Sequence, residues 1–145
     1  MIQNHQQFKV SLKILLKNKS GKILILKSAS KKWFKDFWDL PGGRIDKKEV
    51  MTKFHKLIKR EIKEEIGSNV KYKLRPDPVS LSKYRFPSSS CTLYILFEAK
   101  FISGKIKISK EHLSYKWENL NKKSIEKIFH KSLKNLMINY FDWNY

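Results

Sequence analysis

Between Phe54 and Ile66 the chain places acids on the side of a helix that a folded protein normally keeps apolar. At about 100° per residue, Phe54, Ile58, Ile62 and Ile66 form one stripe, and Lys56, Lys59, Arg60 and Lys63 form the opposite, solvated face. Glu61 and Glu65 fall inside the arc from Leu57 to Ile58, toward the core, and Glu64 sits at its edge, one turn on from Glu61 and Arg60. Half-buried carboxylates that crowd each other need a compensating positive charge, because an ionised acid in a dry site is very costly. A divalent cation supplies that charge; the plainer alternative is a solvated Glu/Lys helix laced by i,i+4 ion pairs. The surroundings bear on the choice, since the stretch follows Pro41-Gly42-Gly43, a turn whose glycines let backbone approach a ligand, and ends at a helix-stopping Gly67. Three carboxylates at i, i+3 and i+4, with no clustered Cys or His in the sequence beside them, make a hard oxygen site suited to Mg²⁺ or Mn²⁺ rather than Zn²⁺.

Gly43, five intervening residues, Glu49, and then Arg60-Glu61-Ile62-Lys63-Glu64-Glu65-Ile66-Gly67 resemble the Nudix box, G-x5-E-x7-R-E-U-x-E-E-x-G-U with U a bulky aliphatic. Trp38-Asp39-Leu40-Pro41 stands in front, as in many members. Two departures mark the match over about 43–67: ten residues rather than seven separate Glu49 from Arg60, and Ser68 replaces an aliphatic. Three extra residues are close to one helical turn, so they lengthen the helix or the loop leading to it and move Glu49 about a turn from the cluster.

The resemblance implies an α/β fold, an α/β/α sandwich around a central mixed β-sheet. It implies hydrolysis of a diphosphate linkage in a nucleotide with Mg²⁺ or Mn²⁺, held by Glu61, Glu64, Glu65 and the backbone carbonyl of Gly43. In that reading Glu64 and Arg60 belong to the catalytic set, Arg60 by holding a carboxylate of the cluster. The general base lies on the box helix or in a later loop. Glu111 fits the second place, in Ser109-Lys110-Glu111-His112 and six residues before Trp117, with His112 the neighbour to suspect if Glu111 is only solvated. Arg44, Trp33 and Tyr84 are the candidate substrate contacts. Tyr84 lies at the distance past the box where relatives acting on dinucleoside polyphosphates carry a Tyr, although a lone strand Tyr also serves as core. The short chain and the WxLPGG lead-in resemble the branch that cleaves (d)NTPs, oxidised ones included, to monophosphates.

The formal charge of +19 brings an RNA partner into consideration, and with it an RNA 5′-triphosphate substrate or a weakly catalytic nucleotide or RNA binder. All but four of the 32 basic residues are lysine, however, and phosphate-reading proteins favour the bidentate fork of Arg. The excess also fits coding bias in an AT-rich genome, so RNA is not the favoured partner. A length of 145 residues suits one domain, 1–145, as a monomer or homodimer. No stretch reaches 18 apolar residues, and Met1 to Lys9 lacks the basic-then-apolar plan of a signal peptide, which predicts a cytoplasmic protein with no membrane partner. Cys91, alone in an apolar run, reads as a buried thiol.

The remaining pattern predicts strands over Phe8–Leu16 and Ile23–Leu26 joined by an Asn18-Lys19-Ser20-Gly21 hairpin, then segments at Val70–Leu74, Val79–Tyr84 and Cys91–Phe101, the last buried on both faces. Ile106 and Ile108 alternate with lysines as a short strand, and Lys116–Leu120 forms another. One closing helix is expected over Ser124–Tyr140. The lysine-rich loop holding Trp33, Phe34 and Phe37 serves equally as a base-stacking platform or as aromatic packing.

Overall fold

The computed structural model describes residues 4–29 and 36–143; Trp33, Phe34 and the lysines around them lie outside the described residues. Two apolar strands meet at the centre of the sheet. Lys9–Lys17 (β1) runs parallel to Cys91–Ser103 (β7), in register from Lys9 opposite Thr92 to Lys17 opposite Lys100. Both are flanked by further strands, so each must be apolar on both faces, as their near-continuous burial shows. Ile23–Ser28 (β2) follows β1 through the hairpin, where Asn18 Oδ1 accepts from the Ser20 and Lys22 amides and Gly21 takes φ 82°.

Trp38–Asp39 (β3) pairs with β2, and Gly42–Arg44 (β4) pairs with the first half of β1. Lys71–Leu74 (β5) and Ser80–Arg85 (β6) both lie antiparallel to β7, and His112–Glu118 (β8) lies antiparallel to β2. Among the described residues the result is an eight-stranded mixed sheet.

Helices cover both faces. On one, Phe54–Ile66 (α1) sets Leu57, Ile58, Ile62 and Ile66 against Leu12, Ile14, Leu16, Phe97 and Ala99. On the other, Lys122–Ile128 (α2) and Lys131–Trp143 (α3) bury Ile125, Leu133, Leu136 and Met137 against Leu15, Ile25, Tyr94 and Leu96. This is the α/β/α sandwich. Successive residues of β1 point to opposite layers, so Leu12, Ile14 and Leu16 serve α1 while Ser11, Lys13 and Leu15 face the other side. No helix among the described residues is long and apolar enough to cross a membrane.

Three expectations are corrected. The closing helix is broken: Phe129 turns extended and bridges to Trp38, and the Ser132 amide donates to His130 Nδ1, starting a second helix at Lys131. Residues 104–111 are not a strand. Ile106 is buried there, but the local backbone is spent on α1, with the Lys107 amide donating to the Ile66 carbonyl (2.9 Å) and the Ser109 amide to the Glu65 carbonyl (3.1 Å). Those are helix-end acceptors that have no partner within the helix. The final strand, β8, accordingly starts earlier than the apolar pattern indicated, at His112.

Candidate active site

Glu61 and Glu65 are buried on the inner side of α1, as their helical positions demand, and they meet the glycines of β4. The Gly42 amide donates to Glu65 Oε2 at 2.7 Å. A methyl group on Gly43 would sit 2.5 Å from Glu61 Oε1, and one on Gly42 would sit 2.0 Å from the Leu12 carbonyl oxygen, at φ 145°. Gly42 therefore has to lack a side chain for β4 to lie against β1, and Gly43 brings the strand backbone against the carboxylate of Glu61. Burial, and then the neighbouring Glu65, hold the Glu61 carboxyl up at about 7 from an ordinary 4.5, with Arg60 pulling the other way.

Arg60 gathers the acids. Its guanidinium lies 2.8 Å from Glu49, 3.3 Å from Glu61 and 3.1 Å from Glu64. Burial alone would lower its pKa, yet the three carboxylates outweigh it and raise it, so the cation is fixed. Glu49 thus returns to the cluster, contrary to the displacement its spacing predicts. After the 3-10 turn Lys47–Glu49, the chain bulges into solvent at Val50 (73% exposed) and Met51 (89%), and α1 begins only at Phe54. The extra residues make a loop, and Glu49 Oε1 accepts from Arg60 at 2.9 Å. Glu64 is the outermost acid, its side chain 56% exposed. An exposed i,i+4 pair is worth only about 0.3–0.5 kcal/mol, so Arg60 holds Glu64 weakly and leaves it free to turn toward a ligand.

The segment stapled to the end of α1 brings two more donors. Glu65, Glu111 and His112 place ligand atoms within 4.8 Å of one another, with Glu111 exposed at the rim. The His112 side chain is 8% exposed, and its Nε2 stands 3.6 Å from Glu65 Oε1. Among the described residues neither of its ring nitrogens has a hydrogen-bond partner, a loss of roughly 1–3 kcal/mol for each orphaned buried group. A histidine thus stands beside the acids, where the sequence around the box carries none. Spacing along the chain could not reveal it, because His112 arrives from a loop more than forty residues past the box.

Beside these acids, on the α3 face of the sheet, a cleft of about 340 Å³ runs past Gly43 and Arg44 and is floored by Lys13, Asp39, Thr92 and Tyr94, with Phe86 at its side. Lys13 was not foreseen. It stands in the middle of an apolar strand, nearly buried, with Nζ 2.9 Å from Asp39. Burial pushes its ammonium down, but Asp39 and then Glu65 outweigh that and raise its pKa, so it is a permanent charge. A lone lysine within VSLKILL was the available signal. Arg44 lines the cleft, whereas Tyr84 stacks edge to face on Phe86 (4.9 Å) behind the lining. Glu98 of β7 is engaged away from the site by Tyr140, Lys17 and Arg75.

Paired acids on one side of a glycine strand and fixed cations on the other suit a ligand that carries both phosphate charge and metal, and the fold is that of an α/β/α enzyme. The NUDIX domain matches residues 7–137 of this chain. The chain belongs to the Nudix family and is a pyrophosphohydrolase. Its sequence is 33% identical over 99 residues to the 8-oxo-dGTP diphosphatase of Buchnera aphidicola subsp. Schizaphis graminum (strain Sg), covering 68% of each chain. Among solved structures, the MutT protein of Methanosarcina mazei Go1 superposes with a TM-score of 0.75 at 19% identity, over 98% of this chain and 99% of that one. A C. elegans Ap4A hydrolase gives 0.71 at 18% identity, over 93% and 96%.

Proposed function

We propose that this chain hydrolyses a nucleoside triphosphate, a (d)NTP or an oxidised relative, to the monophosphate and pyrophosphate, using Mg²⁺ or Mn²⁺. The observation that carries this reading is the pairing of Glu61 and Glu65 against Gly42-Gly43, with Lys13 and Arg44 in the adjoining cleft. Two buried carboxylates this close to a glycine strand, one of them held up to about 7, suit a site completed by a cation. The donors fit the group: Glu61, Glu64, Glu65 and the Gly43 carbonyl would hold it. Bound there, a divalent cation supplies positive charge against phosphate oxygens and acidifies water.

The protein's own groups do the rest. The Gly42 amide fixes one oxygen of Glu65 and leaves the other facing inward. Arg60 fixes Glu49 and restrains Glu64. Lys13 and Arg44 bind and orient the phosphate chain, and the cleft, large enough for a nucleoside, sits between Phe86 and Tyr94. Water adds to phosphorus, the bridging P–O bond breaks, and Glu111, exposed and within reach of Glu65, takes the water's proton.

The relatedness to an 8-oxo-dGTP diphosphatase supports oxidised purine nucleotides as the first substrates to try. Hydrolysis should be measured with Mg²⁺ and with Mn²⁺ on (d)NTPs, 8-oxo-dGTP, ADP-ribose, NADH, diadenosine polyphosphates and 5′-triphosphate RNA. Monophosphate and pyrophosphate released fastest from a (d)NTP, and lost by orders of magnitude in Glu64→Gln, is the expected result. Fastest turnover of RNA ends or of diadenosine polyphosphate would replace the substrate, and a Glu64→Gln enzyme of wild-type rate would remove the site. Glu111→Gln should lose the acidic limb of the pH–rate profile.

A further inference from the structure

His112 is held where an unused histidine has no reason to be. The backbone on either side is pinned: the His112 amide donates to the Ser109 carbonyl (3.2 Å) and the Glu111 carbonyl accepts from Ala29 (2.9 Å). The side chain is only 8% exposed and is aimed at Glu65, yet among the described residues both nitrogens lack a hydrogen-bond partner. A neutral imidazole carries one donor and one acceptor, and a buried one ordinarily satisfies at least one of them. At 3.6 Å, Glu65 Oε1 is too far for a hydrogen bond. That oxygen is the one the Gly42 amide leaves free.

Donors around one small divalent ion, at about 2.0–2.2 Å each, lie at most about 4.4 Å apart. His112 Nε2 and Glu65 Oε1 stand 3.6 Å apart, inside that limit, so one ion can meet both where they stand, with the Glu111 carboxylate within 4.8 Å at the rim.

We infer that His112 is a nitrogen ligand of the cation site, sharing the ion with Glu65, and that it shifts the site's preference from Mg²⁺ toward Mn²⁺ or Co²⁺. This rests on the reading that the box glutamates hold a divalent cation. Mg²⁺ demands hard oxygen donors and keeps its waters, whereas an imidazole is a good ligand for the later divalent ions. His112 therefore lowers Mg²⁺ occupancy relative to Mn²⁺ without changing the number of acids.

The test is pulsed EPR on the full chain loaded with Mn²⁺, read together with Mn²⁺ and Mg²⁺ titrations. Wild type should show ¹⁴N modulation from a directly bound imidazole. His112→Gln should still bind Mn²⁺ but lose the modulation, with Mn²⁺ affinity falling roughly tenfold and Mg²⁺ affinity changing less than about twofold. Should that variant fail to fold, wild type labelled with ¹⁵N-histidine must convert the ¹⁴N signature to that of ¹⁵N. Bound Mn²⁺ without nitrogen modulation in wild type, or modulation surviving in His112→Gln, overturns the inference and leaves the glutamate site standing. Wild type that binds no Mn²⁺ overturns both.

Discussion

Replacing Glu61 with Gln removes a charge that the folded protein holds at a disadvantage. Its carboxyl titrates at about 7 in the fold and at 4.5 ordinarily, chiefly through burial and then through Glu65. The folded state therefore binds this proton more tightly than the unfolded chain. The penalty on stability is absent below about pH 4.5, grows as pH rises toward 7, and is fully present above it. A gap of roughly 2.5 pH units at about 1.4 kcal/mol each sets a ceiling of about 3.5 kcal/mol. Screening by water and by Arg60 reduces the expected value to about 1–2 kcal/mol. In urea with a chelator present, Glu61→Gln should be more stable than wild type by that amount at pH 8, with most of the difference gone at pH 5. Saturating Mn²⁺ should reverse the order. A cation at about a hundred times its Kd stabilises wild type by about 2.7 kcal/mol, and the variant, short of a ligand, gains little. A variant less stable than wild type at pH 8 in chelator, or an advantage that stays flat down to pH 5, would refute the account of Glu61 as a charge kept for a cation.

Glu49→Gln should cut turnover at least roughly tenfold at saturating Mn²⁺, because Arg60 loses its closest partner and the cluster its alignment; a rate within twofold of wild type would make that pair merely structural. Gly42→Ala forces a methyl to 2.0 Å from the Leu12 carbonyl and should lower Tm by about 10 °C or prevent folding, whereas Gly43→Ala meets only the movable end of Glu61. The latter should melt near wild type and bind Mn²⁺ weakly, and equal losses of Tm in the two variants would contradict this. Tyr140→Phe removes the hydroxyl that donates to Glu98, whose carboxyl burial pushes up but Tyr140, Arg75 and Lys17 together hold below its ordinary value. It should cost about 1–2 kcal/mol in urea unfolding near neutral pH, shrink as pH falls through the carboxylate range, and leave turnover unchanged.

The inward glutamates were legible because helical periodicity is local: the positions of Leu57 and Ile58 fix where Glu61 and Glu65 point. The strands were legible for a similar reason, since β7 is apolar on both faces wherever its neighbours lie. What stayed hidden depends on contacts between distant segments. Glu49 rejoins Arg60 because Val50 and Met51 loop outward, and a count of residues along the chain reads a loop and a helical turn alike. Ile106 faces inward as its alternation indicated, but whether its backbone pairs with a strand or with the end of α1 is settled by where Ile66 ends. His112 enters the site by that staple. Phe129 interrupts a sound helical stripe because Trp38, over ninety residues earlier, offers it a bridge.

The parallel pairing of β1 with β7 closes a long loop in the sheet, from Lys9 to beyond Thr92, and the site is laid across it: Lys13 comes from β1, the acids from α1, and Glu111 and His112 from beyond β7. A chain growing from its N-terminus carries the whole acidic helix long before it has β7 to pack that helix against. Ring closure of this kind is slow, because the entropy of the loop must be surrendered before any contact rewards it. A cation site built on these acids would thus be completed last, with the final strands, and a nascent or locally opened chain would hold its glutamates in water, uncrowded and indifferent to metal.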